Sequence, residues 1–301
     1  MNPPTLIGGS TLPLEVASCD GFDAYSATVF ANADSLLDDL TCLMESAGMF
    51  STPDEGPKVR FYAHNNVLVD LKGHRLLSIK SGGSNPHPHV ECTGRASPVV
   101  AQYLREQYRH RPTRIDHAID RRAPGLFARL VRASKKLARQ HGLKWNPSGD
   151  WATPDAGRTI YLGSRKSQVF VRIYEKGLQY AYGLGIPVTD ELRQWVRIEI
   201  EFKPQTDAAK SLAPTMDGPQ LWGSTFWTNQ FASEVLAMTT ETVSIRERRE
   251  SNRERALRYM VAQYRTHLRD LLAECGGDVA EFGQVVADLA GLTATEKAQA
   301  A

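Results

Sequence analysis

Cysteine is scarce in this chain: Cys19, Cys42, Cys92 and Cys275 are the four among 301 residues, and no two stand in a C-x-x-C spacing. That excludes a disulfide framework and a zinc cage of clustered thiolates, and it suits the reduced thiols of a cytoplasmic protein. Long apolar runs are missing too. No window approaches the ~20 apolar residues that a membrane span requires, and the N-terminus, MNPPTLIGGSTLPLEVASCD, lacks the basic segment and apolar stretch of a secretion signal. Neither export nor membrane insertion is expected. No internal repeat is visible.

Basic residues are rare at the start, where residues 1–60 hold Lys58 and Arg60 against nine Asp or Glu. Residues 101–180 reverse this, with 17 Lys or Arg against 6 Asp or Glu, although the whole chain is only +2. A local excess of this kind attracts a polyanion, because each cation that neutralises a phosphate releases condensed counterions. With 42% apolar and 23% charged residues, the composition is otherwise that of a folded globular domain.

The hydrophobic pattern predicts an α+β fold, an antiparallel β-sheet core flanked by helices and followed by a helical C-terminal region. Ala24–Phe30 reads as a strand and Ala33–Ala47 as a helix capped by Asn32. Short β-branched runs between Lys58 and Val90, separated by turn residues, read as a meander. Pro98–His110 looks helical, Arg114–Asp120 extended, and Pro124–His141 a basic amphipathic helix ending at Gly142. Asn146–Gly157 reads as a loop, followed by strands at Arg158–Leu162, Gln168–Tyr174 and Trp195–Phe202. A charged helix is expected from about Thr242 to Ala273.

Side-chain parity is the sharpest signal, since residues i and i+2 of a strand project from one face. In RIDHAID, Arg114, Asp116 and Asp120 share a face, with Ala118 between them and Ile115 and Ile119 opposite. In WVRIEIEF, Arg197, Glu199 and Glu201 oppose Val196, Ile198, Ile200 and Phe202. In QVFVRIYEK, Arg172, Tyr174 and Lys176 oppose Val169, Val171 and Ile173. If these strands are neighbours, their fronts gather carboxylates, a phenol and cations on one surface. Packed carboxylates repel unless a cation neutralises them, so Asp116, Asp120, Glu199 and Glu201, with Glu91 from a further strand, are candidate ligands for Mg²⁺ or Mn²⁺. Tyr174 is the candidate nucleophile, with Lys176 and Arg172 to stabilise a phenolate or protonate a leaving oxygen. Arg114, Arg165, Lys166 and Arg197, and Arg129, Arg132, Lys135 and Lys136 of the basic helix, are candidates for holding DNA phosphates.

Each piece has an ordinary explanation beside the chemical one. Alternating Arg and Glu on a strand commonly form solvated cross-strand pairs, and tyrosine is a good strand former. His87-Pro88-His89 has the spacing of a metal pair, but the proline and the preceding SGGSNP read as a loop. Arg246–Arg258, with Glu247, Glu250 and Glu254 interleaved, reads as a solvated helix. A carboxylate-pair glycosidase explains neither the basic excess nor the tyrosine.

Taken in order, the segments resemble the replication initiation factor family of rolling-circle initiators carried by plasmids, phages and conjugative elements. RIDHAID is similar to its R-x-D-x-A-x-D strand, TIYLGSRKSQVFVRIYEKG to its Y-x-G-x-R-x-S block ending in R-I/F-Y-x-K, and WVRIEIEFK to its R-x-E-x-E-x-K strand. The resemblance covers roughly residues 20–205. It implies a nicking domain over 21–205; a tail over 1–20 precedes it, and the helical region over 206–301, in which no family motif is matched, is a candidate for DNA binding or dimerisation. It implies that Tyr174 is the nucleophile, Tyr161 a substrate-side or structural residue, and the acidic strands the metal site, with Glu91 a weaker correspondence. It further implies a tyrosine-linked nicking and closing reaction at a single-stranded or cruciform origin, with host helicase and polymerase as partners; no second nucleophile stands beside Tyr174, which points either to a homodimer or to a different terminating step. The competing reading is a non-catalytic DNA-binding repressor or replication-control protein.

Overall fold

The computed structural model describes residues 20–57, 59–152, 157–243 and 252–291. In chain order the elements are β1 (Asp20–Val29), α1 (Ala33–Ser46), β2 (Ser51–Glu55), β3 (His64–Asp70), β4 (Arg75–Ser81), β5 (His89–Thr93), α2 (Ala96–Gln107), β6 (His110–Arg122), α3 (Leu126–His141), β7 (Trp145–Gly149), β8 (Arg158–Gly163) and β9 (Val169–Tyr174). Then follow α4 (Lys176–Leu184), α5 (Asp190–Gln194), β10 (Trp195–Phe202), α6 (Asp207–Leu212), α7 (Gly218–Trp222), α8 (Phe226–Val235), α9 (Asn252–Glu274) and α10 (Val279–Leu289). The chain divides into two compact units, Met1–Arg246 and Glu247–Ala301.

In the first unit the strands form one sheet in the order β2-β3-β4-β5-β1-β6-β10-β9-β8-β7, and its ladders are antiparallel. The α+β architecture expected from the hydrophobic pattern is therefore the one observed. Its register is held by apolar pairing on one face. Ile119, Ile198, Ile173 and Ile160 stand opposite one another across four neighbouring strands, all fully buried. Each such side chain contributes ~1.5–3 kcal/mol when removed from water. A slip of one residue would drive Arg197 and Glu199 into that core, so the register is strongly specified.

Helices cover the same apolar back. Leu36, Leu40 and Met44 of α1, Val100 and Leu104 of α2, and Phe127, Leu130 and Leu137 of α3 join the cluster that contains the sheet isoleucines. Asn32 caps α1 by accepting from the amides of Asp34 and Ser35. Gly142 ends α3 at φ 62°, a conformation that costs glycine little. Ala209, Leu221, Trp222 and Phe231 of α6, α7 and α8 also enter that core, so the chain beyond residue 205 continues into the packing of the sheet unit. A smaller cluster of Ala181, Leu192 and Trp195 joins α4 and α5 to the start of β10.

Two differences from the sequence expectation concern edges. The stretch from Asn146, expected as a loop, starts within β7, and β2 was not expected as a strand. Both are the outermost strands of the sheet and both contain proline, Pro53 and Pro147. Proline lacks the N–H for a central ladder but is tolerated on an edge, where it also discourages further pairing. In the second unit α9 packs with α10, and α9 begins later than the expected Thr242. Residues 246–251 of the arginine-rich stretch lie outside the described residues, as do residues 1–19 of the expected tail. Among the described residues no helix is long and apolar enough to cross a membrane.

Candidate functional site

The three strands singled out by parity are adjacent, in the order β6-β10-β9, and their polar fronts lie on one face. Thr159, Tyr174, Arg197 and Asp120 form one cross-strand row, and Tyr161, Arg172, Glu199 and Ala118 the next. Gly163, Phe170, Glu201 and Asp116 form the third. Each polar side chain reaches the front because its strand neighbours are apolar and buried behind it.

Cations meet the carboxylates pair by pair. Arg197 donates to Asp120 through Nε at 2.8 Å and Nη2 at 2.9 Å, and its Nη1 reaches Asp23 at 2.9 Å. Arg114 donates from Nε to Asp116 at 2.8 Å and its Nη2 lies 3.1 Å from Glu201. Lys203 takes the other oxygen of Glu201 at 2.5 Å. Arg172 bridges Asp116 and Glu199 through a single nitrogen, Nη2, which is 2.9 Å from Asp116 and in short contact with Glu199. Among the described residues the buried Nε of Arg172 has no hydrogen-bond partner, so this guanidinium is less firmly held than that of Arg197.

Asp23 was absent from the sequence reading. It occupies an irregularity of β1, where the register with β6 shifts between Phe22 and Ala24, and alternation by two does not reveal a bulge. Lys203, the residue after β10, was likewise not singled out.

The expected metal ligands do not form one group. Among the described residues no set of three or more His, Cys, Asp and Glu side chains is placed to hold an ion. Asp120 and Glu201 are engaged by Arg197 and by Arg114 and Lys203. Glu91 lies two strands from β6, separated from it by β1, and pairs with Lys80 at 2.5 Å and His89 at 3.5 Å. Those partners hold its carboxyl near 2, with the His89 hydrogen bond the largest cause. His87 packs its ring edge on Phe30 rather than pairing with His89 around an ion. The acidic set expected for one metal is thus divided by cross-strand distance and by the arginines beside it.

Asp116 and Glu199 are the adjacent pair bridged by Arg172, and since Asp116 also accepts from Arg114, a hard cation held there would take the place of a guanidinium. Both are buried, and burial, opposed by Arg172 and reinforced by the neighbouring Asp116, raises the Glu199 carboxyl to about 8. A raised carboxyl beside a second carboxylate marks incomplete charge compensation. Mg²⁺ commonly takes one or two carboxylates and completes its shell with water and phosphate oxygens, so a pair fits it without a third acid.

Tyr174 ends β9 opposite Arg197 and is half-buried. Among the described residues its hydroxyl makes no hydrogen bond, and burial followed by the charge of Glu199 pushes its ionisation above the ordinary phenol value. Lys176 is not on the strand, as parity had suggested, but opens α4. Its Nζ nevertheless returns to 5.8 Å from the Tyr174 ring centroid and donates to Gln179 at 3.1 Å. Burial, then Arg197, holds this ammonium below its ordinary range.

The remaining cations divide between two places. Arg165 and Lys166 are exposed on the β8–β9 turn beside the front face. Arg129, Arg132, Lys135 and Lys136 are exposed on α3, which packs against the back. Lys135 lies over the Trp145 ring, 4.6 Å from its centroid.

A model of the family described as replication initiation factor matches residues 111–261, half of the chain. The chain belongs to the replication initiation factor family. The matched segment contains β6 from its second residue, β8, β9 and β10, hence every member of the three central rows, but not Glu91, His87, His89 or Asp23. This replication initiation factor is also similar to a solved rolling circle replication initiator protein from Geobacillus stearothermophilus, at 19% identity and a TM-score of 0.46 over 79% of this chain and 91% of that one. No curated protein matches it.

Proposed function

We propose that this initiation factor starts rolling-circle replication by nicking one strand at its origin, with Tyr174 as the attacking group. The observation that carries the reading is the placement of a half-buried phenol, without a hydrogen-bond partner among the described residues, in a row with Arg197, next to Arg172 and Lys176. The Tyr174 oxygen bonds to phosphorus as the bond from phosphorus to the 3′ oxygen breaks. The phenol proton leaves to solvent, and Lys176 supplies a proton to the departing 3′ oxygen. The protein keeps the 5′ phosphate, and the free 3′ hydroxyl is available to a polymerase. In the reverse reaction a 3′ hydroxyl attacks the phosphotyrosine and rejoins the strand.

Arg172 and Arg197 stabilise the charge on the phenolate and phosphate, while Arg114, Arg165 and Lys166 hold flanking phosphates. The singly bridged Arg172 is the guanidinium best able to turn towards a phosphate. A bound Mg²⁺ or Mn²⁺, held by Asp116 and Glu199, would polarise the phosphodiester. The cations of α3 and the helices of residues 206–301 are assigned to further DNA contact or to a homodimer, in which a second Tyr174 serves strand closure. Host helicase and polymerase in the cytoplasm complete the process.

The test is incubation with supercoiled plasmid carrying the element's own origin and Mg²⁺ or Mn²⁺. Open circles with protein attached to the 5′ end are expected, and chelation should suppress them. Binding without open circles would instead favour a non-catalytic replication-control protein, a reading supported by the arginine partners of the carboxylates.

The single-turnover rate is expected to rise with pH from about 6, because the phenol titrates above its ordinary ~10 and stays protonated at neutrality, and to turn down on the alkaline side as Lys176, whose ammonium burial holds below its ordinary range, loses the proton it gives the leaving oxygen. A flat profile would mean that loss of this proton does not limit the reaction.

A further inference from the structure

The front face carries an aromatic stack that the hydrophobic core does not need. Tyr161 and Phe170 lie with ring centroids 5.6 Å apart and planes within 14°. Neither belongs to the core cluster, which on these strands takes Ile160, Leu162, Val169 and Val171 instead. The Arg165 guanidinium sits 5.3 Å from the Tyr161 centroid and 5.8 Å from that of Phe170. Phe170 is buried at the base, Tyr161 is half-buried and Arg165 is exposed.

The turn that presents Arg165 is held from outside. Lys203 donates from Nζ to the Arg165 carbonyl at 2.9 Å, and Gln205 donates from Nε2 to the Lys166 carbonyl at 2.7 Å. The Gln205 amide also donates to the Gln168 side chain at 3.2 Å. These bonds from the segment after β10 order the turn before any ligand arrives, which lowers the entropy cost of binding.

Register places this stack beside the attacking group. Thr159 of β8 faces Tyr174, and Tyr161 faces Arg172, so Tyr161 and Tyr174 are diagonal neighbours at ~7–8 Å. We infer that Tyr161, Phe170 and Arg165 form a stacking subsite for one unpaired nucleobase of the strand that crosses Tyr174, a step that rests on the nicking reading above. Aromatic rings and guanidinium planes both receive splayed bases. A base within a duplex already has stacking partners on both sides, so the subsite selects single-stranded DNA. It is tolerant of sequence because every base has a π-face. Lys166 of the turn and Lys203, which bonds to it, offer charge to the backbone of the same strand.

The test uses the full chain carrying Tyr174→Phe, with fluorescence anisotropy on oligo(dT) and on a sugar-phosphate oligomer of equal length without bases. The expected preference for oligo(dT) is about 5- to 150-fold for a stacked base. Adding Tyr161→Ala should reduce that preference at least about fivefold with affinity for the base-free oligomer unchanged, and Tyr161→Trp should retain it. Arg165→Lys, at an exposed position where folding is not in question, keeps the charge but loses the guanidinium plane and should weaken the preference. An unaltered preference in Tyr161→Ala and Arg165→Lys, or an equal loss on both oligomers, overturns the subsite. Because this readout needs no cleavage, failure of the plasmid assay with base preference intact would count against nicking alone. Plasmid nicking without a Tyr161-dependent preference would count against the subsite alone.

Discussion

Replacing Tyr174 with phenylalanine is expected to lower strand cleavage by at least about 10³-fold, the scale on which loss of a nucleophile acts, and to abolish the covalent protein–DNA product. DNA binding should stay within about twofold, because phosphate contacts, not the phenol oxygen, supply most of the affinity. The protein should fold normally. Among the described residues the Tyr174 hydroxyl has no hydrogen bond to lose, and its removal leaves no buried group newly unsatisfied. Tyr161→Phe, which keeps the ring and removes the phenol hydroxyl of the neighbouring row, should retain cleavage. Gel analysis of supercoiled origin plasmid with the two variants in parallel decides between them, and cleavage by Tyr174→Phe at the wild-type rate would remove Tyr174 from the role.

Arg197→Leu is expected to destabilise the folded chain by ~3–5 kcal/mol, the cost of leaving a buried charge without its partner. The magnitude follows from position. Arg197 is 8% exposed, makes a two-point pair with Asp120 and extends a third nitrogen to Asp23. Urea denaturation should show a lower midpoint with an unchanged slope. The double variant Arg197→Leu with Asp120→Asn should recover part of the loss, since the stranded carboxylate is the source of the penalty. Arg114 has a side chain 37% exposed, so Arg114→Ala should cost much less. Equal losses in the two variants would show that burial does not govern these pairs.

Much of the candidate site was legible because a strand alternates with period two. Ile115 and Ile119 against Asp116 and Asp120, or Ile198 and Ile200 against Glu199 and Glu201, declare two faces without knowledge of the neighbouring strands. The residue after Tyr174 marks the limit of that method. Once the chain turns into α4, parity no longer describes Lys176, and its return to the Tyr174 ring depends on helix geometry. A bulge hides Asp23 in the same way, by breaking the alternation that would have announced it.

The sequence by itself determined the kind of fold, the polar fronts of three strands and the ordered motifs that place the chain in its family, since these depend on local periodicity and residue order. Only the tertiary structure decided which strands are neighbours, because β10 pairs with β6 and β9 through contacts between residues up to 87 positions apart. That long-range register also divided the acids, giving Asp120 to Arg197 and Glu91 to Lys80 while leaving Asp116 and Glu199 together. It placed the basic helix α3 on the opposite face from Tyr174, because the apolar stripe of that helix could be buried only against the apolar back of the sheet.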